Sequence, residues 1–230
     1  MAAPPADARL RLRISAVSGG VKVTAEPRTD VVVERGGSAA STVDGAIEIR
    51  ASRPSDSVEV RCPVGTDVVI GTRSGGVELS GRFGAVGITS QSGSIRVAAV
   101  SEADLRTVSG RVALGECDGR CRVSTTSGHI TVGATRDAEI STKSGVVGLD
   151  DVAGAVQVRS VSGKVSVASS ARGPVNASTV SGSITVRLPR GVRPTLRSSS
   201  RARVTSSFEH GDDVLIDIAT VSGTVKLVSA

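Results

Sequence analysis

Apolar and polar residues alternate along most of the chain, in short runs that a Ser-Gly pair separates. In the segment GSIRV at 93–97, for example, the second and fourth residues after the glycine are apolar. Four positions before each such serine the residue is again apolar, as at Ile70, Ile88 and Ile140. Because a period of two gives a strand one buried face, each unit predicts two short β-strands that meet at a Ser-Gly corner.

The Ser-Gly pair recurs at a nearly constant interval. Between residues 75 and 182 six successive intervals are 17–19 residues long. An 18-residue unit is too small to bury its own apolar face, so neighbouring units must stack and share one core. We therefore predict an all-β, single-chain parallel β-solenoid (β-helix-like) with about 18 residues per rung, two short strands per rung and Ser-Gly corners; an antiparallel sandwich is the alternative. The pairs begin at Ser18, Ser74, Ser92, Ser109, Ser127, Ser144, Ser162, Ser181 and Ser222.

The corners require two residue types. Glycine can adopt the positive φ that a sharp corner needs. The Ser or Thr two positions before each Ser-Gly serine shares the parity of the core residues, so its hydroxyl is expected to point inward. We expect these hydroxyls to bond one another from rung to rung.

Departures from the repeat divide the one predicted domain into three parts. Residues 1–66 are expected to form an irregular β cap and the first rungs, 67–186 the regular solenoid, and 187–230 the C-terminal rungs with a basic Pro/Arg turn. The Pro-x-Gly turns at 63–65 and 189–191 lie 126 residues apart, which is seven times 18. The last repeat ends the printed sequence, so it is expected to leave an open end unless an earlier loop covers it.

Composition excludes several classes of site. Aromatic residues make up 1% of the chain, which removes the usual stacking platforms for sugars, bases and flavins. The odd set Cys62, Cys117 and Cys121 is expected to stay reduced, with the last two as small buried hydrophobes rather than metal ligands. No cofactor or metal is expected. No signal peptide or transmembrane segment is visible, so a cytoplasmic location is expected.

Positive charge is concentrated near the C-terminus. The chain carries a net charge of +6, and no acidic residue lies between Asp151 and Glu209. We predict that this stretch forms a surface for an anionic partner: a phosphate group, an acidic protein or an anionic lipid. The lack of interleaved aromatics argues against nucleic acid. The candidate residues are Arg187, Arg190, Arg193, Arg197, Arg201 and Arg203.

The repeat units also carry a family resemblance. The Val-Ser-Gly-x-[Val/Ile]-x-[Val/Leu] units, the two Pro-x-Gly turns and the segment ATVSGTVKL at 219–227 resemble the bacterial putative-adhesin family, built from β-solenoid repeats and of unknown function. The resemblance spans nearly the whole chain. It implies surface adhesion and brings no catalytic residue with it.

The predicted function is therefore that of a non-enzymatic interaction or scaffold protein. It would bind partners through its sheet faces and the basic C-terminal surface. A self-assembling filament resembling the bactofilins, with growth through the end rungs, is the main alternative. A β-helix carbohydrate-active enzyme is a third, although neither His129 nor His210 has the neighbours of a catalytic base.

Overall fold

In a computed structural model the described part of the chain, residues 10–43, 45–170, 173–200 and 203–229, is all-β. The side chains of 38–43, 199, 200 and 203 are not described. The strands join one open, solenoid-like sheet. They are β1 (Arg11–Ser15), β2 (Val21–Glu26), β3 (Val32–Arg35), β4 (Gly37–Val43), β5 (Ala46–Ala51), β6 (Val58–Pro63), β7 (Asp67–Thr72), β8 (Val77–Ser92), β9 (Ile95–Val152), β10 (Val156–Ser169), β11 (Val175–Leu188), β12 (Pro194–Ser200), β13 (Arg203–Ser206) and β14 (Val214–Ser229).

Parallel pairing dominates the sheet, and the register between partners follows the repeat. Val158 of β10 pairs with Ile140 of β9 on one side and Ala177 of β11 on the other, which are the matching positions of the repeats before and after it. Strand β9 runs through several corners, at which Gly110, Gly128 and Gly145 have positive φ. Equivalent positions of successive repeats therefore lie side by side.

At the N-terminal end, spatial order departs from chain order. Strand β1 pairs with both β5 and β7, and β2 pairs with both β6 and β8. The segment that holds β3 to β6 lies outside them, with β4 antiparallel to β5 and β3 antiparallel to β6. An internal segment of the chain thus forms this end of the stack.

At the other end an earlier segment covers the last repeat, which is the exception that the expectation of an open end allowed. Strand β14 pairs along one edge with β11, where Gly223 lies beside Gly182, and along its other edge with β12 and β13. The earlier segment 194–206 therefore covers it. Sequence alone did not show this, because β12 and β13 come before β14 in the chain but lie on its outer side, while β14 itself pairs with β11.

The core consists of aliphatic side chains from every second residue. Leu105, Val123 and Ile140 occupy equivalent buried positions in successive repeats. Phe83 is the largest fully buried side chain among the described residues. The alternation read from the sequence agrees with the burial pattern in β10, β11 and β14.

A row of buried hydroxyls lines the corners, as expected, but its hydrogen bonds differ from the expected ones. Each hydroxyl donates to the backbone carbonyl two residues further along its own repeat, at 3.1–3.3 Å, rather than to the next hydroxyl. This bond satisfies a carbonyl that the corner takes out of the strand ladder. The donors are Ser90, Thr107, Thr125, Thr142, Ser160, Thr179 and Thr220.

Membrane-spanning helices are absent from the described residues: none of these residues forms a helix of the length and apolarity needed to cross a bilayer.

Candidate functional site

The predicted basic surface is distributed over three elements. Arg187 lies exposed at the end of β11, Arg190 in the following turn, and Arg197 on β12. The Asp213 carboxylate lies 3.8 Å from Nε of Arg193 and also accepts its backbone N–H at 2.8 Å. Asp217 is the strand partner of Arg197.

Folding therefore brings acidic residues next to part of the arginine cluster. The backbone of Arg203 pairs with Thr224, its side chain is not described, and Arg201 lies outside the described residues. Arg187, Arg190 and Arg197 make no ion pair with any described residue, but Asp217 lies next to Arg197 on the neighbouring strand, so Arg187 and Arg190 are the two described arginine side chains of the cluster without such an acidic neighbour.

A second feature, which we call the ladder groove, lies on the outer face of β1, β7, β8 and β9. It encloses about 570 Å³. Its floor consists of the small side chains of Val69, Ala85 and Gly87, from two neighbouring strand segments. Because these residues are short, the groove is two strands wide and open to solvent.

Arg11 and Arg13 lie on one side of the ladder groove, the arginine wall, where Glu48 and Asp67 also line it, and Glu102 and Asp104 lie on the other side, the carboxylate wall, next to Arg120 and Arg122. Arg13 pairs through the backbone with Val69, which pairs with Gly87, which pairs with Asp104. Three strand spacings separate the two charged positions, or about 14 Å at ~4.8 Å each. Arg11 and Glu102 lie two residues earlier on the same strands, and Asp67, whose Oδ1 accepts the Ala85 N–H at 2.8 Å, stands between them.

Beyond the carboxylate wall the charges alternate from repeat to repeat. Oδ2 of Asp104 accepts a hydrogen bond from Arg106 at 2.8 Å. Arg122 donates from Nε and Nη2 to one oxygen of Glu139, at 3.1 and 2.8 Å. That hydrogen bond lowers the pKa of the Glu139 carboxyl, with smaller contributions from the charges of Arg122 and Arg120.

The groove leaves charges without partners. Oδ1 of Asp104 is buried and has no hydrogen-bond partner among the described residues. Arg11, Arg120 and Glu102 form no ion pair within the described part of the chain. On the arginine side, Nη1 of Arg13 lies 3.7 Å from the Glu48 carboxylate, and Asp67 is the strand partner of Arg11.

Sequence reasoning did not find the ladder groove. The alternation places Arg106 and Arg122 on the outer face, and aligning the outward positions of successive repeats would have shown Asp104, Arg122 and Glu139 in one row. The arginine wall gave no such signal, because β1 pairs with β7 across a long intervening segment that itself contains β2 to β6.

The described residues show no catalytic or metal-binding constellation. His129 and His210 are exposed, and neither hydrogen-bonds a serine in the described structure. No group of three or more His, Cys, Asp or Glu side chains in the described ranges is arranged to hold a metal ion.

The repeat architecture has a match among family models. The Toastrack DUF4097 model matches residues 5–228, nearly the whole chain. The chain belongs to the Toastrack DUF4097 family. This membership confirms the predicted family, and a putative adhesin of known structure, described below, shares the fold.

Two solved structures match this Toastrack chain, and the first of them shares its fold. A putative adhesin from Bacteroides fragilis has 11% sequence identity and a TM-score of 0.51, with 96% of this chain and 93% of that one covered. A putative cell adhesion protein from Clostridium sporogenes has 10% identity and a TM-score of 0.22 over the same shares. The first likeness extends to the fold alone. The chain has no match among the curated proteins.

Proposed function

We propose that the protein is a non-enzymatic binding module: a rigid parallel β-solenoid with two strands per rung that presents the ladder groove to a partner. The parallel pairings between equivalent positions of successive repeats support the solenoid. The observation that carries the binding proposal is the pair of opposed charged walls over a floor of small side chains.

The charges select the class of ligand. The arginine wall fits a carboxylate, and Asp104 with Glu102 fits an ammonium or guanidinium group. A ligand that satisfies both walls carries opposite charges about 14 Å apart.

An extended peptide meets this requirement in a simple way. Residues i and i+4 of an extended chain point to the same side and are about 13 Å apart, at ~3.3 Å per residue. A peptide with Lys and Glu at these positions would lie across the strands, on Val69, Ala85 and Gly87. We therefore assign the ladder groove to an extended peptide segment of mixed charge.

Binding of a labelled peptide tests the assignment. The probe is acetyl-Lys-Thr-Ala-Thr-Glu-amide, measured by fluorescence anisotropy, with peptides carrying two Lys or two Glu as charge controls. The mixed peptide is expected to bind more tightly than either control, because each control leaves one wall without a partner. Asp104→Asn and Arg13→Gln are each expected to weaken it about tenfold, the effect of one lost charge-assisted hydrogen bond.

Arg96→Gln supplies the matched control. Arg96 is an exposed arginine on β9 outside the ladder groove, so its loss lowers the net charge by the same single unit as Arg13→Gln. Unchanged affinity in this variant, with weakened binding in the two groove variants, supports the proposal. Equal affinity for all three peptides, or an equal loss in Arg96→Gln, overturns it.

We also propose that the C-terminal end contacts an anionic partner, and that of the six candidate arginines Arg187 and Arg190 make this contact. These two side chains are exposed and make no ion pair with described residues, whereas Arg193 is paired with Asp213 and Arg197 has Asp217 as its strand partner. Vesicles with and without anionic lipid test it. Salt-sensitive binding to the anionic vesicles that Arg187→Gln with Arg190→Gln removes would support this contact.

A further inference from the structure

A second groove lies beside the ladder groove, on the outer face of β8, β9 and β10, and encloses about 400 Å³. Nine of its 14 lining residues are Ser or Thr, so we call it the hydroxyl groove. Three others are the cations Arg106, Lys143 and Arg159, and the described residues that line it include no carboxylate. In this it differs from the ladder groove, whose lining carries both signs of charge.

The hydroxyls of this groove belong to two sets. The inward set donates to the corner carbonyls, as Thr142 does to Ser144 at 3.1 Å. The outward set has no hydrogen-bond partner among the described residues, and it consists of Thr89, Ser124, Thr126 and Ser141. The inward hydroxyls are therefore already used by the fold, whereas the outward ones are available to a ligand.

Two of the cations lie on either side of one outward hydroxyl. Arg159 of β10 is the parallel strand partner of Ser141. Lys143 follows Ser141 by two residues on the same strand, and all three side chains are exposed. One strand spacing of ~4.8 Å and two residue rises of ~3.3 Å place the Cα atoms of Lys143 and Arg159 about 8 Å apart. Their long side chains can therefore both reach one small group held above Ser141.

The acidic residues nearest to these cations are already paired. Glu139, two residues before Ser141, accepts two hydrogen bonds from Arg122 at 3.1 and 2.8 Å. Asp104 likewise accepts from Arg106 at 2.8 Å, so Arg106 is partly neutralised. Lys143 and Arg159 make no ion pair within the described part of the chain, and they supply the unneutralised positive charge of the hydroxyl groove.

We propose that the hydroxyl groove binds a tetrahedral oxyanion, a phosphate or sulfate group, between Lys143 and Arg159 and above the Ser141 hydroxyl. The guanidinium offers two parallel N–H donors that match two oxygens of such a group, and the ammonium adds a compact charge. Ser141 supplies a third donor from below. Because the described lining holds no carboxylate, nothing in it repels the anion. The groove is open to solvent, so the site admits the group either as a free ion or as an ester.

Nuclear magnetic resonance on the full chain tests the site directly. Sodium sulfate, sodium phosphate and glycerol 3-phosphate are each titrated at constant ionic strength, with sodium acetate as the control. We expect saturable shifts of the backbone amides at 141–143 and 159–161. Acetate should bind about tenfold more weakly, because it lacks one charge-assisted contact. Tighter binding of glycerol 3-phosphate than of inorganic phosphate would identify the source as an ester, and the reverse order would identify the free ion.

Variants with matched charge locate the contact. Lys143→Gln and Arg159→Gln should each weaken sulfate binding about tenfold, the effect of one lost charge-assisted hydrogen bond. Lys22→Gln and Arg96→Gln remove the same charges from exposed strand positions outside the hydroxyl groove, and they should leave the affinity unchanged. All four side chains are exposed, so none of these changes disturbs the core.

Three results would overturn the proposal. The first is a set of shifts that grows linearly with anion concentration and never saturates. The second is an equal loss of affinity in the groove variants and their controls, which would indicate general charge attraction. The third is loss of binding in Arg187→Gln with Arg190→Gln, which would move the anion to the C-terminal end.

Discussion

At the residue scale the fold depends on small corner residues that stack in register. A Cβ at Gly128 would fall inside van der Waals distance of the backbone carbonyl oxygen of Gly110 in the preceding repeat. Gly128 also has φ of 148°, which L-residues rarely adopt. Both constraints concern backbone atoms, so no side-chain movement relieves them.

Gly128→Ala should therefore lower the free energy of unfolding by about 2 kcal/mol or more. Urea denaturation measures the change. Gly71→Ala is the matched control, because Gly71 lies in strand β7 and its added Cβ would meet nothing within 4 Å. Equal stability of the two variants would contradict the role of the corner.

A second substitution tests the corner hydroxyls, because replacing Thr by Val removes the hydroxyl and hardly changes the side-chain volume. Thr142 donates to the carbonyl of Ser144 at 3.1 Å, and Thr142→Val removes the donor and leaves that carbonyl without this bond. We expect a loss of about 1 kcal/mol in the free energy of unfolding. Thr131→Val, at an exposed strand position, should change it by less than about 0.5 kcal/mol.

At the element scale the strands are connected by charge as well as by the backbone ladder. Arg122 and Glu139 lie 17 residues apart on neighbouring segments of β9 and bond side by side. The low pKa of Glu139 means that its ionised form is favoured in the folded state. Its contribution is therefore present above the pKa of a carboxyl in the unfolded chain, about 4.3, and is lost as the pH falls through the lower folded value.

Glu139→Gln should accordingly be less stable than the wild-type chain at pH 7, with a difference that shrinks as the pH falls below about 4. Thermal unfolding of both chains from pH 7 to pH 3 measures this. A difference that stays constant over the whole range would show that the Glu139 charge does not stabilise the fold.

The predictability of each element follows from how far its partners lie along the chain. The regular strands were predictable because Ile140, Val158 and Ala177 repeat one local pattern. The position of β14 was not predictable, because its own sequence does not show that residues 194–206 pair along its outer edge. The ladder groove was not predictable for the same reason. Its two sides come from β1 and β9, which lie far apart in the chain and are connected in the sheet by β7 and β8.

At the scale of the whole molecule, both ends of the stack consist of internal segments. Antiparallel strands β3 and β4 cover the N-terminal end, and β12 and β13 lie outside the last repeat. End-to-end growth through parallel pairing would need free parallel edges at both ends, and the antiparallel strands do not offer one.

We therefore expect the protein to sediment as a monomer over a wide range of concentrations, at low and high salt alike. Sedimentation velocity measures this. Reversible growth of the sedimentation coefficient with concentration would instead favour the filament alternative. Loss of that growth on replacing Arg187, Arg190, Arg193 and Arg197 with Ser would place the contact at the C-terminal end.

The central claim is that the ladder groove prefers ligands whose two opposite charges are separated by the distance between its two sides. Calorimetric titration of the wild-type chain with a series of extended peptides tests it most directly, with the spacing of Lys and Glu set at two, four and six residues. Affinity should be highest at four residues, where the charges lie about 13 Å apart and reach both walls. An affinity that does not depend on the spacing would contradict the claim, because simple charge attraction would then explain the binding.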